Sequence, residues 1–239
     1  MRNKIAAYAQ KYQGDWSSIA KAIAQQQEIQ PIDPKVNFVT IVDKEYPECL
    51  KRLRFPPWIL YYEGQLSLLD RPSLGLVGSR QLCTYAQRVI ERLISANPEK
   101  VIVSGLAKGA DAHAHECALK QGTVGILGCG LDVVYPKENR KLIDEMKKHH
   151  LVISEYPCGT PPRKHHFPWR NRLIAAFSDH VVAVQAQIKS GTATTIMHTI
   201  ELSKPVYCVP YPLDSSIGEG CNALIAQGAQ ILIRADEKF

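Results

Sequence analysis

From about residue 71 onward, short apolar runs alternate with longer amphipathic segments. The runs are rich in Val, Ile and Leu, and most of them do not alternate strictly with polar residues, which is typical of strands buried on both faces of a parallel sheet. The predicted strands are Leu74–Val77, Val101–Val103, Val124–Leu127, Leu151–Ile153, Val181–Val184, Val206–Val209 and Ile231–Ile233. The predicted crossover helices are Tyr85–Ala96, Ala110–Gln121, Glu138–His149 and Thr192–Leu202. This alternation predicts an α/β fold with a Rossmann-like, doubly wound and mostly parallel sheet.

The first part of the chain has a different pattern. Residues 2–29 predict short helices, a short β-like run follows at Phe38–Val42, and Pro56-Pro57 predicts a rigid bend before Trp58–Tyr62. We therefore predict two regions: a short helical N-terminal extension with a bridge over residues 1–70, and a Rossmann-like ligand-binding domain over residues 71–239.

Composition and charge are those of an ordinary globular protein with a basic excess. Apolar residues make up 45% of the chain and charged residues 22%, and the net charge is +6 with a pI of about 8.9. This charge is compatible with a polyanionic partner, although many proteins of similar charge bind no nucleic acid. The seven cysteines are scattered and include no Cys-x-x-Cys pair, which predicts neither a disulfide framework nor a zinc site. With no signal-like N-terminus and no long apolar stretch, the expected location is the cytoplasm.

The loops that follow the predicted strands are short and rich in Gly and Ser. In a doubly wound sheet, ligands bind at the carboxyl ends of the strands, where such loops lead into helix N-termini whose N–H groups favour phosphate. The candidate phosphate-binding residues are Gly78, Ser79, Arg80, Ser104, Gly105, Lys108, Gly109, Lys189, Ser190, Gly191 and Thr192. Each loop taken alone could be a tight turn without a ligand, and it is their position along one edge that favours phosphate. No Gly-x-Gly-x-x-Gly or Walker A motif follows the first strand, so no cofactor is predicted.

Residues 161–172 form the most unusual segment, with four Arg or Lys, two His, one Phe and one Trp between prolines. We interpret it as a stiff open loop in which cations meet phosphates and an aromatic ring meets a base, as single-stranded nucleic acid requires. The candidate contacts are Lys164, Phe167, Arg170, Asn171 and Arg172. The alternative is structural: the aromatic rings pack the loop onto the sheet and the arginines pair with carboxylates or carbonyls. No metal site is predicted, because the adjacent histidines lack partners at ligand spacing.

These motifs occur in an order that resembles the DNA-processing protein A family (DprA, also called Smf), over about residues 46–239. The motifs are Tyr46-Pro47 with Pro56-Pro57, Gly78-Ser79-Arg80, Ser104-Gly105-Leu106-Ala107-x-Gly109-x-Asp111-x-x-Ala114-His115, Tyr135-Pro136, Ser154-Glu155-Tyr156-Pro157, Phe167-Pro168-x-Arg170-Asn171-Arg172, Lys189-Ser190-Gly191-Thr192 and Leu224-Ile225-x-Gln227-Gly228-Ala229. The resemblance implies a non-enzymatic protein that binds single-stranded DNA in natural transformation, protects incoming strands and loads the RecA recombinase onto them. It also implies a homodimer, and no C-terminal winged-helix domain is expected after Phe239.

The resemblance assigns roles to individual residues. It implies that Arg80 contacts a DNA phosphate, that Lys164 contacts the strand and that Phe167 stacks on a base. Backbone amides near residues 104–105 and 190–191 would hold phosphates. The sequence departs from the usual family pattern at Lys108, Gln185 and Tyr211, where Arg, Glu and Gly are common.

Two alternatives belong to other functional classes. A nucleoside-monophosphate phosphoribohydrolase of the same superfamily would need a Glu where this chain has Thr195, and a threonine cannot supply a carboxylate. A sensor of a small nucleotide would also use the phosphate-accepting edge, but the many cations of residues 161–172 exceed what a small ligand needs.

Overall fold

The computed structural model describes residues 1–239 and contains one nine-stranded sheet. The strands are β1 (Asn37–Thr40), β2 (Ile59–Gly64), β3 (Ser73–Gly78), β4 (Val101–Ser104), β5 (Thr123–Leu127), β6 (Leu151–Ser154), β7 (His180–Gln185), β8 (Val206–Cys208) and β9 (Gln230–Ile231). The helices are α1 (Arg2–Lys11), α2 (Trp16–Ala24), α3 (Glu48–Lys51), α4 (Thr84–Ala96), α5 (Ala110–Ala118), α6 (Arg140–His149), α7 (His166–Phe177), α8 (Gly191–Glu201) and α9 (Glu219–Ala226).

The order of strands confirms the predicted doubly wound fold. The sheet runs β1-β2-β6-β5-β4-β3-β7-β8-β9, and all neighbours from β6 to β9 are parallel. The chain winds outward from β3 to β6 and then returns to β7 on the other side of β3. This reversal creates the crevice at the carboxyl ends of the strands in which doubly wound proteins bind ligands.

Buried strands and helices on both faces form the core. Every residue of β4, β5 and β6 is buried, in agreement with their unbroken apolar character. Helices α5 and α7 both pack against β3, β4 and β5, which places them on opposite faces of the sheet. None of the helices combines the length and the apolar character that crossing a membrane would require.

The N-terminal region contributes two strands to the same sheet. The β-like run at Phe38–Val42 becomes β1, whereas β2 was not predicted from the sequence. Strand β2 pairs antiparallel with β1 on one side and with β6 on the other. Helix α2 begins at Trp16, where the Asp15 carboxylate accepts a 2.8 Å hydrogen bond from the amide of Ser18. The division of the chain at residue 70 into two folding regions stays a prediction.

The prediction of an open loop over residues 161–172 is wrong for its second half. Helix α7 begins at His166, and Pro168 lies in its first turn, where a missing N–H group costs no intrahelical hydrogen bond. Residues 161–165 remain outside regular structure. The basic and aromatic residues of this segment are therefore presented on a helical turn, in which neighbours in sequence face different surroundings.

Candidate functional site

A cavity of about 60 Å³ lies at the carboxyl ends of β3, β4 and β5, and we call it the rim cavity. Its wall includes Arg80 from the loop after β3, Lys108 from the loop after β4 and Gly128 from the loop after β5. Helix α7 contributes Phe167 and Arg170. Residues predicted from two strand-end loops and from the basic segment thus meet in one place, next to a third loop from which no site residue was predicted.

Phe167 and Arg80 lie side by side at the rim cavity. Arg80 is exposed, and its guanidinium carbon lies 5.8 Å from the centre of the half-buried Phe167 ring. The ring packs against Tyr135 with 5.4 Å between ring centres, and it lies against the backbone of Gly128, where a Cβ atom would be 3.1 Å from it. An aromatic surface beside a free cation suits a base and its phosphate.

Arg170 brings a buried positive charge to the wall of the same cavity. It is 5% exposed, one of its terminal nitrogens donates to the carbonyl of Ile126, and its buried Nε has no hydrogen-bond partner in the chain. Asp111 lies close by, and burial raises the pKa of its carboxyl while the charge of Arg170 opposes that change. A Cβ atom at Gly105 would collide with both side chains, so a larger residue there would displace at least one of them. Arg170 thus adds buried positive charge to the wall of the rim cavity.

The loops after β3 and β4 pack backbone on backbone. Gly109 has a φ of +74°, and a Cβ atom there would strike the carbonyls of Ser79 and Arg80. The amide of Ala110 donates to the carbonyl of Ser79 over 3.0 Å. A Cβ atom at Gly78, the last residue of β3, would lie 2.8 Å from the Cβ atom of Ala110. These contacts fix the backbone that carries Arg80 relative to the N-terminus of α5.

Gln185, at the end of β7, holds the Arg80 loop from the other side. Its Oε1 accepts from the amide of Cys83 over 2.9 Å, and its Nε2 donates to the carbonyl of Gln81 over 3.0 Å. A side-chain amide does both, whereas an ionised Glu at this position would lack the donor. The departure from the usual Glu is therefore compatible with a well-positioned loop.

Ser104 and His115 support the loop after β4 from inside the protein. The Ser104 hydroxyl donates to the carbonyl of Leu76 over 2.6 Å, so it points away from any ligand. His115 is fully buried and donates from Nε2 to the carbonyl of Gly105. Burial lowers the pKa of His115 to about 4, which keeps the ring neutral. Residues 104 and 105 were predicted to bind phosphate. Because the Ser104 hydroxyl is already hydrogen-bonded and Gly105 has no side chain, only their backbone groups can contact a ligand.

The loop before α8 is tied to α7. The side-chain amide of Asn171 donates to the carbonyl of Gly191 over 3.2 Å, so Asn171 positions this loop. The hydroxyl of Ser190 is buried without a partner in the chain, and Thr192 is also buried. Lys189 is exposed beside them. The predicted 189–192 turn thus adjoins the helix that carries Arg170, although it does not line the rim cavity.

Arg172 requires a correction, because its guanidinium is not free for a ligand. It is 3% exposed and forms two hydrogen bonds, of 2.8 and 2.6 Å, with the equally buried carboxylate of Glu155. Its Nε donates to the carbonyl of Phe55, and its guanidinium lies 4.2 Å from the centre of the Trp169 ring. The structural alternative therefore holds for Arg172 and for Trp169, which packs against Phe55.

The exposed lysines differ in their pairing. Lys108 forms an ion pair of 2.5 Å with Glu138, whereas Lys164 and Lys189 form none within the chain.

Sequence reasoning assigned no role in the site to Asp111 or Glu155, whose partners are remote along the chain. The available signal was their position, since Glu155 directly follows β6 and Asp111 lies in the first turn of α5.

Fold and site together define a Rossmann-like protein whose strand ends form a cationic, partly aromatic rim suited to an anionic ligand. Residues 37–239 match the family model described as DNA recombination-mediator protein A. The chain therefore belongs to this family, and the resemblance found in the sequence is confirmed.

Similar proteins come from several bacteria. DNA processing protein DprA of Streptococcus pneumoniae is 40% identical over 196 residues, which cover 81% of this chain and 70% of that protein. DNA processing protein DprA of Bacillus subtilis is 36% identical over 236 residues, which cover 92% of this chain and 80% of that protein.

Two solved structures share the fold. The crystal structure of DNA processing protein A from S. pneumoniae superposes with a TM-score of 0.82 at 33% identity and covers 98% of this chain and 90% of that one. A structure concerned with the single-stranded DNA binding mode of DNA processing protein A from Helicobacter pylori gives a TM-score of 0.75 at 33% identity and covers 85% of this chain and 94% of that one.

Proposed function

We propose that this protein binds single-stranded DNA along the carboxyl edge of its sheet, protects incoming strands in natural transformation and helps to load the RecA recombinase onto them. The observation that carries the binding step is the convergence of Arg80, Phe167 and Arg170 on the rim cavity. Support for the later steps comes from the family, whose description is that of a recombination mediator.

The rim cavity has the chemistry of a phosphate site. Arg80 supplies an exposed charge, and Arg170 supplies a buried charge in the wall of the cavity. Charge-assisted hydrogen bonds of guanidinium groups to phosphate are among the strongest available to a protein. The N-terminus of α5, behind the loop of Lys108, adds a favourable helix dipole for an anion.

A single strand fits this site better than a duplex. The half-buried ring of Phe167 can be reached only by a base that is not stacked and paired within a helix. Phosphate contacts alone would not distinguish the two forms. The solved H. pylori relative, which concerns single-stranded DNA binding, supports the same choice.

We further propose that the protein holds its strand without catalysis and acts as a homodimer in the cytoplasm. Thr195, at the position where a phosphoribohydrolase has its catalytic Glu, is a buried residue of α8 that carries no acid. The edge at β9 exposes Ile231 and Ile233, and α8 exposes Met197 and Ile200, which supports contact with a second subunit. Seven free thiols support a reducing compartment.

Arg80→Glu tests the binding site. We expect this variant to lose most of its affinity for single-stranded DNA, since it reverses a charge at the phosphate site. Fluorescence anisotropy with labelled strands and duplexes at two salt concentrations measures the effect, and the wild type should prefer the single strand. The matched control is Lys120→Glu, which changes the net charge by the same amount. Lys120 lies just before β5, at the amino-terminal ends of the strands and therefore far from the rim cavity.

Equal loss of affinity in the two variants would show that only net charge matters and would contradict a localised site. A mononucleotide that competes as well as a long strand would favour the nucleotide-sensor alternative. Release of a free base from nucleoside monophosphates, followed by chromatography, would overturn the assignment of a non-enzymatic function.

A further inference from the structure

A second cavity, of about 270 Å³, lies between the turn that joins α1 to α2 and the beginning of α7. We call it the N-terminal cavity. Tyr12 and Trp16 from the N-terminal helices and Trp169 from α7 give it aromatic walls. The turn that bounds it contains Gly14, whose φ is +77° and whose Cα lies so close to the ring of Tyr156 that a side chain would not fit. The cavity is therefore formed jointly by the N-terminal helices and the Rossmann-like body.

The first turn of α7 separates the two cavities. Phe167 and Arg170 line the rim cavity, while His166 and Trp169 line the N-terminal cavity. Because successive residues of a helix point in directions about 100° apart, one turn serves both sides. A strand that leaves Phe167 therefore needs to cross only one helical turn to reach the second cavity.

Two buried polar side chains line the N-terminal cavity and have unused hydrogen-bonding capacity. Tyr156 and His166 are 3% and 4% exposed, and their rings stack with 4.0 Å between centres. The Nδ1–H group of His166 donates to the carbonyl of Gly128 over 3.0 Å, so Nε2 of the neutral ring is an acceptor. Burial lowers the pKa of His166, which favours the neutral form. The Tyr156 hydroxyl has no partner in the chain, and neither atom is fully enclosed.

The charges around the cavity favour a phosphate at its entrance. Arg163 and His165 line it, and Lys164 between them is exposed. The guanidinium of Arg163 donates to the side chain of Gln13 over 2.7 Å and forms no ion pair. The carboxylate of Asp15 also lines the cavity, but it accepts from an amide at the N-terminus of α2, where the helix dipole offsets its charge.

We propose that the N-terminal cavity binds a second nucleotide of the same single strand whose neighbour contacts Phe167. The ring of Tyr12 or Trp16 stacks on the base, the edge of the base bonds to His166 and Tyr156, and Arg163 with Lys164 holds the connecting phosphate. This inference rests on the proposed function. It extends the DNA path from the sheet edge to the N-terminal helices.

Ser17→Trp tests the second site, because it fills the cavity from an exposed position in the first turn of α2. In the wild type, affinity for oligothymidylates should rise stepwise with length once a strand spans both cavities. Ser17→Trp should remove this step, lowering affinity for long strands about tenfold, as expected for one lost stacked base, and leaving the shortest binding strand unaffected. Ala24→Trp, which adds the same bulk at the exposed far end of the same helix, should retain the step.

Arg163→Gln is a second variant that leaves the aromatic walls intact, and Lys120→Gln is its charge-matched control. Arg163→Gln should weaken the binding of long strands only, and Lys120→Gln should leave it unchanged. The proposal is overturned if both Ser17→Trp and Arg163→Gln, confirmed as folded by circular dichroism, keep the wild-type dependence on length. It is also overturned if thymidine monophosphate occupies the cavity and longer strands gain nothing. Failure of the wild type to bind any strand would instead contradict the proposed function.

Discussion

Arg170 and Arg172 lie two positions apart on α7 and have different electrostatic surroundings. The charge of Arg172 is neutralised by the two hydrogen bonds to Glu155. The charge of Arg170 is only partly offset by Asp111, and its Nε has no partner. The same residue type in the same motif thus stabilises the fold in one case and contributes charge to the rim cavity in the other. Burial and partner decide between the two roles, and neither can be read from the motif itself.

Phe167→Ala separates stacking from charge at the level of one residue. We expect it to cost roughly 1–3 kcal/mol of binding free energy for single-stranded DNA, with little change in the salt dependence, because no phosphate contact is removed. Titration by fluorescence anisotropy at several salt concentrations measures both quantities. The matched control is Phe239→Ala. The ring of Phe239 is also half-buried, but it packs on His180 at the amino-terminal ends of the strands. A large fall in the melting temperature of Phe167→Ala would show instead that the ring serves packing.

At the scale of elements, the sequence predicted the parallel strands well and the start of α7 poorly. The runs from Leu74 to Val209 coincide with β3 to β8 to within about two residues at most ends, because strands buried on both faces are apolar throughout. In residues 161–172, the prolines suggested a loop, but Pro168 is tolerated in a first helical turn. The polar residues of that turn are buried against partners that are distant in sequence, and a local pattern does not contain this information.

The anchoring of α7 by the Arg172–Glu155 pair can be tested through stability. Arg172→Met should lower the free energy of unfolding by roughly 3–5 kcal/mol, since it leaves a buried carboxylate without its partner. Urea denaturation followed by circular dichroism measures this change. The double variant Arg172→Met/Glu155→Leu removes both charges and should recover most of the loss. If the single and double variants are equally unstable, packing on Trp169 rather than the ion pair is the main contribution.

At the scale of the whole molecule, the sheet unites parts of the chain that local pattern kept separate. Strands β1 and β2 come from the region predicted as an extension, yet β2 pairs with β6, about 90 residues further along the chain. Such pairing depends on long-range contacts, so the sequence indicated β1 but neither β2 nor the position of the two strands in the sheet. The N-terminal cavity, which lies between distant segments, was unpredictable for the same reason.

The stability of the whole molecule should fall in mild acid. The pKa of His115 is about 4 in the folded protein, against an ordinary value of 6.5. Between these values the unfolded chain binds a proton that the folded protein does not, so stability is lost as the pH falls from 6.5 towards 4, by about 3 kcal/mol for the full difference. Burial also lowers the pKa of His150, His166 and His180, which adds to the same trend.

Urea denaturation of the wild type and of His115→Gln between pH 7 and pH 5 measures this effect. Glutamine retains a donor for the carbonyl of Gly105 but does not titrate in this range. The variant should therefore show a shallower decline of unfolding free energy with acidity. Parallel declines in the two proteins would mean that His115 does not contribute.

The backbone contact at Gly109 has a consequence for how this surface can change. Since the two loops touch without an intervening side chain, any other residue at position 109 would push Arg80 away from the N-terminus of α5. The spacing between these two anion-attracting groups is thus set by main-chain atoms and is insensitive to substitutions of neighbouring side chains. Differences in DNA preference must then arise at the outer residues, such as those of α2 and the start of α7. The distance between Arg80 and the N-terminus of α5 stays constant.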